Sequence, residues 1–87
     1  MKVAIRKSFI KDADKLPPGI QHSIAEIIDQ INSARQISQL TNCKKLKGYK
    51  TAYRIRFGPY RIGFFYEKGI VELVRVLSRK DIYRYFP

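Results

Sequence analysis

Arg54 and Arg56 alternate along Tyr53-Arg54-Ile55-Arg56-Phe57, Arg61 follows across Gly58-Pro59-Tyr60, and Arg79 stands four residues before Tyr83. A guanidinium is a planar fork of donors that does not deprotonate in proteins, so several on one surface suit phosphate binding rather than proton transfer. One such arginine reads as an ordinary solvated charge. Three or four on one sheet face, without carboxylates between them, repel one another and call for a bound anion. Arg75, Lys45, Lys47 and Lys80 extend the same positive field. All six tyrosines fall between Tyr49 and Tyr85. Interleaved arginine and tyrosine suit single-stranded RNA, with guanidinium on phosphate and rings on bases. Tyr53, Tyr60 and Tyr66 read as core or rim residues, which leaves Tyr83 and Tyr85 freer for a ligand.

Other chemistries are poorly supplied. The chain has one cysteine, Cys43, and one histidine, His22, too few for a disulfide framework or for a Cys- or His-based metal site. Cys43 reads as a small buried or edge residue without a base to activate it, and Ser78 likewise lacks a base. His22 falls in an isoleucine-rich helical segment and reads as structural or surface. No cofactor signature is present.

The elements that must carry the arginines follow from periodicity. Ile20, Ile24, Ile27, Ile28 and Ile31 form one apolar stripe at helical spacing, in a helix that starts at Pro18 and runs to about Ala34 or Ser38. A shorter helix, capped by Ser8, precedes it through Lys15 and ends at Pro17-Pro18. Lys2–Ile5 reads as a short first strand. Residues 51–57, 59–66 and 70–77 are rich in aromatic and β-branched residues, and their short connections require antiparallel neighbours. The expected architecture is α+β: a two-layer β-α-α-β-β-β antiparallel sheet with a helical hairpin on one face and a C-terminal turn or helix near 80–85. Tyr53, Ile55 and Phe57 then meet the isoleucines, and Arg54 and Arg56 take the opposite face. A two-residue Gly58-Pro59 loop sets Arg56 opposite Arg61. A three-residue turn at Glu67-Lys68-Gly69 pairs Tyr66 with Ile70 and makes Arg61 a neighbour of Arg75.

At 87 residues the chain supports one domain, 1–87, with a modest core. Its 45% apolar and 13% aromatic content excludes disorder as the main state. The net charge of +11 is concentrated, since residues 44–87 hold twelve of eighteen basic and three of seven acidic residues. The opening MKVAIRKSF lacks the apolar core of a signal peptide, and no run approaches a membrane span. A soluble, cytoplasmic protein without a membrane partner is expected.

Three segments, in this order, carry a resemblance: Lys45-Leu46-Lys47-Gly48, the stretch from Tyr53 to Ile62 (YRIRFGPYRI), and the stretch from Val74 to Arg84 (VRVLSRKDIYR). Together they resemble the RelE/ParE superfamily of toxins from type II toxin–antitoxin systems, and the likeness covers the whole chain. For the RelE branch, the resemblance implies entry into the ribosomal A site and metal-independent mRNA cleavage, by attack of a ribose 2′-OH on the adjacent phosphate. Arg61 and Arg79 would neutralise the scissile phosphate, with Arg56 beside them and Tyr83 stacking on or orienting the nucleotide. Arg54, Lys45, Lys47, Arg75 and Lys80 would hold RNA. An acidic antitoxin encoded next to this gene is the implied partner, with mRNA and ribosome as targets and no cofactor. This chain departs from the family pattern at Ser78, where a histidine is common, and at Arg54 and Arg56, where lysines are. A ParE-like gyrase inhibitor and a weakened RNA-binding member are the alternatives.

Overall fold

The computed structural model describes all 87 residues. Strand β1 (Lys2–Ile5) leads into helices α1 (Lys7–Asp14) and α2 (Pro18–Ser33), then a single 3-10 turn at Ile37–Gln39. Strands β2 (Cys43–Lys45), β3 (Ala52–Phe57), β4 (Tyr60–Glu67) and β5 (Ile70–Ser78) follow, and α3 (Ile82–Tyr85) ends the order. The five strands form one sheet ordered β1-β5-β4-β3-β2. No helix is long and apolar enough to cross a membrane.

The isoleucine stripe behaves as its spacing requires. Ile24 and Ile31 are buried, while Ile20, Ile27 and Ile28 sit at the rim of a core that includes Phe9, Ile55, Ile62, Phe64, Leu73 and Val76. Full burial of each such side chain contributes about 1.5–3 kcal/mol before conformational entropy is set against it. Helix α2 stops at Ser33, at the short end of its expected range.

The α+β class and the element order stand, with two corrections and one addition. First, the sheet is mixed. β1 runs parallel to β5, with Val3 beside Val71 and Ile5 beside Leu73. The short-loop argument constrains only consecutive strands, and the helical excursion between β1 and β2 is long enough to allow a parallel return. Second, Cys43–Lys45 is an extra edge strand, antiparallel to β3 with Lys44 opposite Arg54. Three residues with two lysines show no alternation, although lysine is a common guard of exposed edges. The C-terminal helix, whose face the sequence left open, is the addition. α3 covers the other side of the sheet, where Ile82 and Phe86 pack on Ala52 and Val74 in a second small core.

Ser8 does not cap α1, which begins after the extended residue Arg6 without a side-chain cap. Its hydroxyl instead donates to the Val74 carbonyl at 2.6 Å. Where β1 ends, Arg6 N–H bonds the Leu73 carbonyl at 3.0 Å, and farther along Asp12 accepts the Val76 N–H at 3.1 Å. The side chains of α1 thus continue the ladder along β5 after β1 has left it, so that this buried edge keeps its partners.

Candidate nucleic-acid interface

Strict alternation in β3 sends Tyr53, Ile55 and Phe57 toward the helices, where all three join or pack against the main core. Arg54 and Arg56 therefore take the opposite face. The β3–β4 loop has two residues, Gly58 and Pro59, with Gly58 at φ 56 as a primed hairpin turn demands. Phe57 pairs with Tyr60 and Arg56 stands directly opposite Arg61, in the expected register. Like charges so placed destabilise the sheet in isolation.

The next hairpin differs from expectation. Glu67 pairs with Ile70 around a two-residue Lys68-Gly69 turn, both at positive φ (51° and 78°). A bulge near Gly63/Phe64 then advances β5 by one more residue. Arg61 consequently faces Leu77, and Arg75 faces Gly63 rather than neighbouring Arg61. The two one-residue shifts keep Arg75 on the face of Arg61 but carry it two residues along. There its guanidinium is held by Asp12, Nε to Oδ2 at 2.7 Å and Nη2 to Oδ1 at 3.0 Å, and lies 5.4 Å from the Tyr85 ring centroid. Hydrogen bonding to Asp12 raises the Arg75 pKa further, against the opposing effect of burial.

Arg54, Arg56, Arg61, Arg79 and Tyr83 come together. The Arg79 N–H bonds the Pro59 carbonyl at 2.9 Å, which brings the end of β5 over the β3–β4 turn. The Arg61 guanidinium donates to the carbonyls of Gly58 (3.1 Å) and Tyr60 (2.9 Å). Desolvation, then the charges of Arg54, Arg56 and Arg79, lower its pKa, with Tyr83 acting the other way. Arg54 donates to the Asn42 carbonyl at 3.1 Å. The ion pairs of the molecule are Arg6–Glu72, Arg75–Asp12 and Arg84–Asp81, and the remaining carboxylate contact is that of Glu26 with His22, so none of these four arginines has a carboxylate partner. The carbonyl contacts of Arg54 and Arg61 leave the positive charge of the cluster uncompensated, and an anion is what it lacks.

Beside the cluster lies an open cleft of about 740 Å³ between the β2–β3 loop and α3, lined by residues 44–50, Arg54 and Tyr83. Lys45 and Lys47 lie here, whereas Lys80 is exposed in the turn after β5 and does not line it. Ser78 donates to Asp81 Oδ2 at 3.3 Å, and Asp81 also stands 4.0 Å from Arg84. His22 is an exposed residue 3.4 Å from Glu26, far along the helix layer. Cys43 is half-buried at the sheet edge, and burial, only partly offset by Arg54, pushes its thiol up to about 11. Such a thiol is a poor nucleophile.

Three residues escaped sequence reasoning. Asp12 left no signal, since its partner lies 63 positions away. Asp81 could have been read from its Ser-x-x-Asp spacing to Ser78, which favours a local hydroxyl–carboxylate contact. Tyr49 follows a glycine inside a lysine run, a pattern that marks an exposed loop tip.

Residues 3–83 match the family model described as the ParE toxin of the type II toxin–antitoxin system parDE. Toxin RelE3 of Methanocaldococcus jannaschii is 42% identical over 88 residues, covering 100% of both chains. In the crystal structure of the RelB-RelE antitoxin–toxin complex from Methanococcus jannaschii, the matching chain is 38% identical with a TM-score of 0.82, covering 97% of this chain and 99% of that one. The toxin–antitoxin complex RelBE2 from Mycobacterium tuberculosis contains a chain 25% identical with a TM-score of 0.72, at 90% and 96% coverage.

Proposed function

This chain belongs to the RelE/ParE superfamily and is a toxin of a type II toxin–antitoxin system, and from that premise we propose that it is a ribosome-dependent, metal-independent mRNA endoribonuclease. The observation that carries this reading is the cluster of Arg54, Arg56, Arg61 and Arg79, none with a carboxylate partner, beside the exposed Tyr83. In the reaction a ribose 2′-oxygen attacks the neighbouring phosphorus, the bond to the 5′-oxygen breaks, and a cyclic phosphate and a 5′-hydroxyl result. Negative charge grows on the phosphorane oxygens, and preorganised donors aimed there lower the barrier. Arg61 and Arg79 supply those donors, with Arg56 opposite Arg61 across the hairpin. Arg54, Lys45 and Lys47 hold the flanking backbone, Lys80 adds field from the rim, and Tyr83 stacks on or orients the nucleotide.

Proton transfer is the lean part of this machinery. Arginine does not act as a base, and Ser78 stands where a histidine is common. Electrostatic stabilisation then carries most of the rate, and water, a ribosomal group or the Tyr83 hydroxyl moves the protons. Arg75 contributes least of the arginines expected to hold RNA, because Asp12 occupies its fork and compensates its charge.

The two solved relatives above are toxins bound to RelB-type antitoxins or named as toxin–antitoxin complexes. They support a cognate antitoxin for this chain, and the uncompensated positive charge of the toxin is our ground for proposing that this partner is acidic; that it is encoded next to the toxin is a further part of the proposal. The matching family description, which names ParE, favours a second reading as a gyrase-inhibiting protein binder. Induction in a host, with mapping of mRNA 5′ ends and a parallel supercoiling assay, separates the two. Codon-phased cuts uphold the nuclease, and gyrase inhibition without cuts replaces it with the second reading.

A further inference from the structure

The cleft between the β2–β3 loop and α3 is a different feature from the arginine cluster. It shares Arg54 and Tyr83 with that cluster but adds Lys44, Lys45, Lys47, Tyr49 and Lys50, with no acidic residue in its lining. Its volume of about 740 Å³ lies within the range of about 300–1,000 Å³ usual for small-ligand sites.

The tyrosines show what the cleft is shaped to take. Tyr53 stacks on Phe64 and meets the edge of Tyr66, Tyr60 packs on Phe57, and Tyr85 lies under Arg75. Only Tyr49 and Tyr83 have neither a ring nor a guanidinium partner. They are 52% and 58% exposed, and both line this cleft. The loop that presents Tyr49 is fixed at its base. Leu46 packs into the second core and its N–H bonds the Ala52 carbonyl at 2.8 Å, while the Tyr49 N–H reaches back to Leu46 at 3.3 Å. Gly48, at φ 87, makes the turn that sends Lys47, Tyr49 and Lys50 outward.

We propose that this cleft is a second nucleotide subsite, which holds the single-stranded RNA next to the scissile phosphate. Lys44, Lys47 and Lys50 neutralise the adjoining phosphates, and Tyr49 and Tyr83 offer their free ring faces to a base. Its position beside the cut rests on the cleavage reading above. RNA is favoured over an acidic peptide because lysines alone would satisfy carboxylates, whereas two unpartnered rings among them match alternating phosphate and base. Splayed bases require a single strand.

The test uses the whole protein and a labelled, mixed-sequence pentanucleotide blocked by 2′-O-methyl groups, with binding followed by anisotropy across a salt series. Tyr49→Leu is expected to weaken binding about tenfold, within the range measured for base–aromatic stacking, and Tyr49→Trp to retain it. The pair Lys47→Ala/Lys50→Ala is expected to flatten the plot of log affinity against log salt by about 1.4, at about 0.7 per phosphate. Lys7→Ala/Lys11→Ala, which removes equal charge from α1, should leave that slope unchanged. Wild-type affinity in Tyr49→Leu, equal slopes in the two lysine pairs, or no saturable binding by the wild type overturns the subsite. So does a Glu-rich decapeptide that binds through these residues when the RNA does not. If programmed ribosomes are cut while the pentanucleotide series is flat, the subsite fails alone. If the series behaves as expected and no ribosome is cut, the cleavage reading fails and the RNA subsite stands.

Discussion

Asp12 grips Arg75 with both carboxylate oxygens, at 2.7 and 3.0 Å, while one of them also accepts the Val76 N–H at 3.1 Å. The carboxylate is only 7% exposed, so three elements depend on a single buried charge: α1 carries it, the β5 edge is closed by it, and Arg75 extends from it to the Tyr85 ring of α3. Removing one partner from a buried ion pair costs about 3–5 kcal/mol, and the partial exposure of Arg75 argues for the lower end. Asp12→Ala should therefore lose about 3 kcal/mol in urea denaturation. Asp12→Asn, which keeps an acceptor for Val76, should lose less. A double-mutant cycle with Arg75→Met should return a coupling of at least 1 kcal/mol. Strict additivity would mean that the pair is a bystander.

Gly63 and Phe86 are matched in a similar way. A methyl group on Gly63 would fall 2.5 Å from Cδ2 and 2.6 Å from Cγ of the Phe86 ring, which is 2% exposed. Gly63→Ala should thus cost about 1–3 kcal/mol through overpacking. In a Phe86→Ala background the same change should be nearly neutral, because the obstacle is gone. α3 carries Tyr83, so Gly63→Ala should also disturb the site from beneath. Equal destabilisation by Gly63→Ala in both backgrounds, read by urea titration, would show that Phe86 does not sit where the structure puts it.

These two contacts mark where the sequence becomes silent. The isoleucine helix was readable because its stripe repeats at the period of the helix, and the face of Arg54 and Arg56 because β3 alternates without a break. The Arg56–Arg61 pairing followed from a two-residue loop that had to contain Gly58. Arg75 was misplaced because the Lys68-Gly69 turn holds two residues rather than three and because a bulge inserts Val74 opposite the Gly63/Phe64 step, where the isolated strand glycine is the only local mark of it. The parallel course of β1 and the Asp12 clamp are long-range relationships, and no local periodicity encodes them. α3 was foreseen, but its role as a lid on the second core depends on Gly63, a residue whose missing side chain is informative only beside Phe86.

Cys43 gives a pH prediction with a definite sign. Burial lifts the thiol from the ordinary 9.0 to about 11, so its thiolate population at pH 8 is about a hundredfold lower in the folded chain. Iodoacetamide should label the native protein correspondingly slowly and the urea-unfolded chain quickly, as followed by intact mass. Below pH 9 both states hold the proton and the thiol has no effect on the pH dependence of stability. Between about 9 and 11 the unfolded chain ionises first, so the wild type should lose stability with rising pH more steeply than Cys43→Ala. Rapid native labelling at pH 8 would contradict the burial of this sulfur.

The sharpest prediction separates chemistry from binding at the arginine cluster. If Arg61 and Arg79 stabilise the phosphorane, their loss must slow the cleavage step itself, even when the toxin saturates its substrate. Removing one preorganised donor of this kind typically raises a barrier by about 2.7–4 kcal/mol, on the order of a hundredfold to a thousandfold in rate. Single-turnover cleavage of mRNA on programmed ribosomes, at saturating toxin, should show that loss for Arg61→Ala and for Arg79→Ala. Tyr83→Phe keeps the ring and removes only the hydroxyl, so a small effect assigns Tyr83 to stacking and a loss as large as that of the arginines assigns it to proton transfer. Ser78→His should raise the rate if proton transfer is the weak step, although it also gives up the 3.3 Å contact to Asp81. Wild-type rates at saturation for both arginine variants would reduce Arg61 and Arg79 to binding residues, and the cluster would then be a phosphate anchor with its chemistry supplied from elsewhere.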